Sequence, residues 1–141
     1  LEFRITDVCL TIDEAVMVAG LIRSLARTCY EQAEGNVPVA HARPELMRAA
    51  KWRAARFGLS ADLIDVEQRQ SVPARQLLEK MLLFLRPSLE DFGEWDEVSS
   101  LVEKVITNGT GAERQRQAFT RSGNHEELVD YIVSETAAGA V

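Results

Sequence analysis

The fold is decided by residues 1–15, LEFRITDVCLTIDEA, in which an alternating segment runs directly into the start of a helix. Apolar side chains at positions 1, 3 and 5 alternate with polar ones, which is the period of a β-strand with one apolar face. Side chains two residues apart point the same way along a strand, so Glu2 and Arg4 share the polar face. The segment therefore predicts one N-terminal β-strand over residues 1–8.

The polar face of this strand has the chemistry that phosphoryl transfer needs. A carboxylate such as Glu2 can hold Mg²⁺, and the planar fork of Arg4 can hold phosphate oxygens. The alternative is an ordinary solvated ion pair. Because a single strand is not stable alone, we expect residues 1–8 to pair with another strand. Its source would be an N-terminal sheet part of a longer protein or a second copy of this chain.

The rest of the chain is predicted to be helical. Thr11 and Glu14 have the spacing of a capping box that opens a helix running to about Glu34. Pro87 should kink or restart the helix that Pro73 begins. Further helices are expected over 44–57, 96–108, 112–121 and from Asn124 on, with a short hairpin around 67–70. The fold class is thus mainly α, with five or six helices, one N-terminal strand and a small hairpin.

Composition places the chain among soluble globular proteins of one domain. It has 141 residues, of which 46% are hydrophobic and 27% charged. A formal net charge of −6 argues against non-specific nucleic-acid binding, which depends on neutralising phosphates. Its two cysteines form no disulfide framework or zinc site, and no segment reaches the length of a membrane span. We therefore expect a cytoplasmic protein.

Two further segments concentrate positive charge. The predicted helix over residues 44–57 has basic side chains on more than one edge and a tryptophan, which fits either an anion-facing helix or a solvated basic face. The turn 109–111, GTG, leads into Arg114 and Arg116, and it fits either an anion site at a helix N-terminus or a simple cap. Two residues apart on a helix, these arginines cannot share one face. One of them could face a site while the other binds acidic groups.

Several of these segments together resemble one family. The E-x-R strand is similar to the last sheet strand of the glutamine-synthetase-like ATP-dependent ligases. The downstream motifs resemble the C-terminal part of the type-2 glutamate–cysteine ligases, also called carboxylate–amine ligases. They are DVCLTIDEA at 7–15, KWRAARFGL at 51–59, VPAR at 72–75 and GTGAERQR at 109–116. The resemblance covers essentially the whole chain in order.

The resemblance implies a fold and an activity. Residues 1–141 would be a single C-terminal portion of an α+β glutamine-synthetase-like catalytic fold whose N-terminal sheet part is absent, and this chain alone would be inactive. The intact enzyme would use ATP and Mg²⁺ to join glutamate to an amine such as cysteine, with no nucleic-acid or membrane partner. Implied roles are metal binding by Glu2, catalysis by Arg4, support by Asp7, and substrate or ATP binding by Arg53, Arg56, Arg114 and Arg116. The alternative is a non-catalytic helical module for structure or oligomerisation that docks through its N-terminal strand.

Overall fold

The computed structural model describes residues 2–3, 6–38 and 41–138, and within them the chain is mainly helical, as predicted. The elements in chain order are α1 (Ile12–Glu34), α2 (Pro44–Phe57), β1 (Leu63–Asp65), β2 (Gln70–Val72), α3 (Ala74–Asp91), α4 (Trp95–Asn108), α5 (Gly111–Ser122) and α6 (His125–Ala137). The six helices and the hairpin confirm the predicted helical content and the predicted turn.

Helix ends follow from local sequence chemistry. Thr11 Oγ1 accepts the Glu14 N–H at 3.2 Å at the start of α1. At its end Asn36 adopts a left-handed conformation with φ 51°, and the Val37 N–H reaches back to the Gln32 carbonyl at 2.9 Å. Asn124 Oδ1 caps α6 by accepting the Glu126 N–H at 2.9 Å.

The predicted N-terminal strand is not found among the described residues. Residues 2–3 and 6–9 have no regular secondary structure, and Val8 is 97% exposed. A strand requires a hydrogen-bonded neighbour, and the described chain places none beside this segment. Leu1, Arg4 and Ile5 lie outside the described residues. The larger glutamine-synthetase-like fold stays a prediction.

Pro87 does not restart the helix, although a restart was one of the two predicted outcomes. Helix α3 continues through it from Ala74 to Asp91. The proline cannot donate to the carbonyl four residues earlier, on Leu83, but both residues are exposed. Water can therefore satisfy that carbonyl, and the break costs too little to end the helix.

The chain divides into two compact units. One comprises Leu1–Ser24 with Leu89–Val141, and the other comprises Leu25–Ser88. In the first, α1 and α4 approach closely at Gly20, where an added Cβ would lie 2.7 Å from Val98 Cγ2. The buried apolar residues of the first unit are Leu10, Leu89, Val98, Leu101, Val102 and Ala118.

The second unit packs α2 against β1 and buries the hairpin end. Asp65 Oδ1 accepts the N–H groups of Glu67 and Gln68 at 2.9 and 3.0 Å and so fixes the turn. Its other oxygen binds Lys80 Nζ at 2.8 Å. Thr28 and Ser88, both buried, hydrogen-bond to each other at 2.8 Å. Helix α1 contributes residues to both units, and its buried residues are the small Gly20, Ser24 and Thr28.

Candidate functional site

Glu2 and Asp7 are both exposed in the segment before α1. Arg4, assigned to catalysis by the resemblance, lies outside the described residues. Within the described part of the chain, no three His, Cys, Asp or Glu side chains come together as a metal site. Glu2 therefore belongs to no group of three such side chains within the described residues.

Leu10 follows this segment, and its N–H, its carbonyl and its side chain are all fixed by contacts. Its N–H donates to Glu14 Oε2 at 2.9 Å, and its carbonyl accepts from Thr136 Oγ1 at 3.1 Å. Its side chain is 3% exposed. A Cβ on Gly111 would lie 3.3 Å from the Leu10 Cβ, so α5 also approaches this residue closely.

Arg114 forms two ion pairs and joins Leu10, Glu14 and Glu135 into one group, which we call the Arg114 cluster. Its Nη2 binds Glu14 Oε1, and its Nη1 binds Glu135 Oε2 at 3.0 Å. The side chains of Arg114, Glu14 and Glu135 are 18%, 13% and 33% exposed. Such largely desolvated, charge-assisted hydrogen bonds are stronger and more selective in geometry than surface pairs. The Arg114 fork thus joins the starts of α1 and α5 to the end of α6.

A cleft of about 280 Å³ opens beside the cluster. Lys104 Nζ lies 3.2 Å from Asp13 Oδ2 at its edge, in a pair whose side chains are both more than half exposed. The cleft is lined by Thr11, Ile12, Asp13, Glu14, Leu101, Lys104, Val105, Asn108, Gly109, Arg114, Glu135 and Ala138. Its two cations, Lys104 and Arg114, already pair with its three carboxylates, so the cleft offers no excess positive charge to an anion.

The turn at 109–111 is a cap. The Thr110 N–H donates to Glu113 Oε2 at 2.8 Å, and Thr110 Oγ1 accepts the Glu113 N–H at 3.3 Å. These two bonds form a complete capping box at the start of α5. The Glu113 carboxylate therefore lies at the turn where the sequence had predicted either an external anion or a simple cap.

Arg114 and Arg116 diverge, as their spacing predicted. Arg114 binds the carboxylates of Glu14 and Glu135, whereas Arg116 is exposed on another face of α5. A shallow groove there is lined by Glu113, Arg116, Gln117, Thr120 and Arg121. Of the two predicted anion-binding arginines on α5, Arg116 is the one on an open surface.

Helix α2 presents its basic side chains near solvent, and none of its residues is buried. Arg53 donates from Nε to the Asp62 carbonyl, and its guanidinium lies 5.6 Å from the Phe57 ring centre. Arg56 is exposed, with its guanidinium 5.7 Å from the same ring. Trp52 is 63% exposed and meets Phe57 edge-on. Within the described residues, no carboxylate forms an ion pair with Arg53 or Arg56.

Sequence reasoning missed the partners of Arg114. The sequence pattern assigns Glu14 to a capping box and gives no role to Glu135. The one available signal was the expectation that either Arg114 or Arg116 would bind acidic groups. Cys9, beside Leu10, is no activated thiol, because burial and then the Glu14 carboxylate raise its pKa.

Comparison with known proteins identifies the family. Residues 1–134 match glutamate–cysteine ligase family 2. A provisionally named glutamate–cysteine ligase 2-2 of Frankia alni is 43% identical over 140 residues, which cover 99% of this chain and 37% of that protein. A counterpart from Rhodopirellula baltica is 34% identical over 141 residues, covering 100% of this chain and 37% of the relative.

The chain spans only part of these relatives. In a provisionally named glutamate–cysteine ligase 2-3 of Rhodococcus jostii, the matched 137 residues are 40% identical and make up 17% of that protein. No solved structure gives a significant match. None of the described helices combines the length and apolar content that a bilayer crossing needs. Because the match extends over residues 1–134, the chain belongs to glutamate–cysteine ligase family 2.

Proposed function

We propose that this chain is the C-terminal part of an ATP-dependent carboxylate–amine ligase of the γ-glutamyl–cysteine type. The observation that supports it is the family match over residues 1–134, which includes the E-x-R segment and all four downstream motifs. The relatives carry the name glutamate–cysteine ligase, and the chain spans 37% of the Frankia alni relative. The activity is therefore proposed for the longer protein.

The proposed reaction has two steps. The γ-carboxylate of glutamate attacks the γ-phosphorus of ATP, which breaks the bond to ADP and forms an acyl phosphate. The amine of the second substrate then attacks the acyl carbon, releases phosphate, loses a proton and leaves an amide. Catalysis of the first step requires neutralising charge on the transferring phosphoryl group.

Glu2 and Arg4 are assigned to that phosphoryl group. Glu2 supplies one carboxylate to Mg²⁺, which would lower the charge repulsion between ATP and the attacking carboxylate. Arg4 stabilises the phosphoryl oxygens, and Asp7 orients Arg4 or caps local backbone. Because the described residues contain no three-ligand cluster, we propose that other parts of the longer protein supply further metal ligands.

Three other arginines are proposed to contact ATP or the substrate carboxylates. Their guanidinium groups lie near solvent, and no carboxylate in the described part of the chain forms an ion pair with Arg53, Arg56 or Arg116. Arg114 differs, because both of its terminal nitrogens bind carboxylates within the chain. We therefore remove Arg114 from the proposed substrate contacts and keep the other three.

A hybrid enzyme tests the proposal. The 140 matched residues of the Frankia alni relative are replaced by this chain, and ADP release is measured with glutamate and cysteine, with the parent protein assayed in parallel. We expect release that requires both substrates and Mg²⁺, and none from the 141-residue chain alone. An active parent with an inactive, folded hybrid would refute the proposal.

Arg4 provides the residue-level test in the same hybrid. Arg4→Ala should lower kcat by about 10²–10³-fold while changing KM for ATP much less, because the lost contact acts mainly in the transition state. Thr6→Ala, two residues along the same segment, is the matched control and should leave kcat within about twofold. A near-normal kcat for Arg4→Ala would remove Arg4 from catalysis.

A further inference from the structure

We infer that Arg114 is a positioning residue, which fixes the register of the N-terminal segment through Glu14 and Leu10. The inference rests on the proposed function for its consequence in catalysis. Its structural basis stands independently, in the contacts of Leu10, Glu14 and Arg114. The role follows from what each of these groups holds.

Leu10 is the point at which the N-terminal segment becomes fixed. The residues before it from 6 to 8 are exposed and have no regular secondary structure. At Leu10 the N–H, the carbonyl and the side chain are all held, by Glu14, by Thr136 and by burial. Leu10 is therefore the residue that attaches the N-terminal segment to the rest of the unit.

Glu14 can hold the Leu10 N–H only if its own carboxylate is fixed. One of its oxygens accepts that N–H, and the other binds Arg114 Nη2. The second arm of the Arg114 fork binds Glu135 on α6, one residue before Thr136, which holds the Leu10 carbonyl. Arg114 thus aligns both groups that grip the Leu10 backbone.

Register is what such an anchor would control. In a strand a slip of one residue turns every side chain to the opposite face. A strand over residues 1–8 that slipped at its root would turn Glu2 and Arg4 away from a phosphoryl group. Fixing the Leu10 backbone sets which face these side chains present once the segment is paired.

The residues of the Arg114 cluster favour a positioning role over substrate binding. Two carboxylates offset the single positive charge of Arg114, so little charge remains for a substrate anion. The small Gly111 allows α5 to approach Leu10, with only 3.3 Å between the Leu10 Cβ and the position of an added Cβ. Arg114 is therefore expected to act through Leu10 and not through contact with substrate.

The first arm of the test measures amide exchange of Leu10 in the 141-residue chain. Glu14→Ala removes the acceptor, and Arg114→Lys removes the fork while keeping the charge. Both should accelerate Leu10 exchange by about tenfold, while Glu14→Gln, which retains an acceptor oxygen, should accelerate it less. Arg27→Lys, in the exposed Arg27–Glu31 pair of α1, is the matched control and should change nothing.

The second arm measures kinetics in the hybrid ligase, normalised to folded protein well below its melting temperature. Arg114→Lys and Glu14→Ala should lower kcat by about 10²-fold with a smaller change in KM for ATP, since misplacement of the reacting groups by about 1 Å costs this much. Glu14→Gln should recover part of kcat. A role in stability alone would lower the melting temperature and leave kcat of the folded enzyme unchanged.

The outcomes separate the two proposals. A folded but inactive unmodified hybrid, beside an active parent, refutes the proposed function, while Leu10 exchange still reports on the anchor. Unchanged Leu10 exchange in both Glu14→Ala and Arg114→Lys, or an active hybrid whose kcat stays within about twofold in these variants, overturns the positioning role. If Arg114→Lys fails to fold, the comparison of Glu14→Gln with Glu14→Ala decides the question.

Discussion

Arg114 on α5 and Arg56 on α2 come from similar basic segments, yet the structure uses them in opposite ways. Arg114 is 18% exposed and its fork joins two carboxylates. Arg56 is exposed, lies over the ring of Phe57 and belongs to a helix with no buried residue. Both were candidate anion ligands from sequence. The difference shows that an arginine is available to a ligand only where the fold has not already neutralised it.

The largest expected effect lies in stability. Arg114→Met should destabilise the 141-residue chain by about 3 kcal/mol, because it leaves Glu14 and Glu135 desolvated without their cation. Arg56→Met should change stability by no more than about 0.5 kcal/mol. Urea unfolding followed by circular dichroism measures both. Equal effects of the two substitutions would abolish the distinction between them.

The second effect concerns ligand binding, and here the arginines of α2 should affect kinetics more than stability. In the hybrid ligase, Arg53→Met and Arg56→Met should each lower kcat/KM by about tenfold, as expected for the loss of a charged contact of about 1.4 kcal/mol. Folding should be little affected by Arg56→Met, since Arg56 is exposed, whereas Arg53→Met also removes the hydrogen bond to the Asp62 carbonyl and should lower stability by about 1 kcal/mol. Steady-state kinetics with ATP and glutamate varied in turn would identify the anion that each arginine contacts. Unchanged kinetics for both would make the α2 surface a solvated basic face.

The third effect tests whether an acid that is paired within the fold, Asp65, also contributes to stability. Hydrogen bonding to Lys80, followed by the Gln68 N–H, holds the pKa of the Asp65 carboxyl below its ordinary value. The folded state therefore gains stability from ionised Asp65 at pH values above the unfolded pKa of about 3.9, and loses it as pH falls through the lower folded pKa.

Asp65→Asn should accordingly cost about 1 kcal/mol at neutral pH and nothing once the wild-type carboxyl is protonated. Urea unfolding across the acidic range, compared between the two proteins, gives this difference directly. Glu67→Gln is the matched control, because Glu67 also binds Lys80 but its side chain is 57% exposed. A difference that persists undiminished in acid would assign the effect to turn geometry and not to charge.

Sequence alone predicted those features that depend on a few neighbouring residues. The cap at Thr11, the cap at Asn124 and the turn around residues 67–70 were all found, since each is closed by bonds within three or four residues. The sequence left open whether the helix continues through Pro87, because the cost of the proline depends on whether the Leu83 carbonyl faces water. That is a property of packing.

In the candidate site, too, local features were predicted and long-range contacts were not. The separation of Arg114 from Arg116 follows from helical spacing and was predicted. One partner of Arg114, Glu14, lies 100 residues away, and no local pattern in a single sequence pairs them. The capping-box motif even assigned Glu14 another role, whereas its carboxylate reaches Leu10 and Arg114. Long-range electrostatic pairs therefore needed the structure.

The smallest expected effect compares ion pairs by their exposure. Arg48 and Glu45 lie 3.3 Å apart on α2, with both side chains 73% exposed. Glu45→Gln should therefore cost only about 0.3 kcal/mol, and added salt should remove even that by screening. Glu14→Gln at the Arg114 pair should cost more, and the cost should persist in salt because that pair is largely desolvated. Unfolding free energies at low and high ionic strength measure both costs. If salt abolished the Glu14→Gln effect as completely as the Glu45→Gln effect, the Arg114 cluster would behave as a surface pair and could not anchor Leu10.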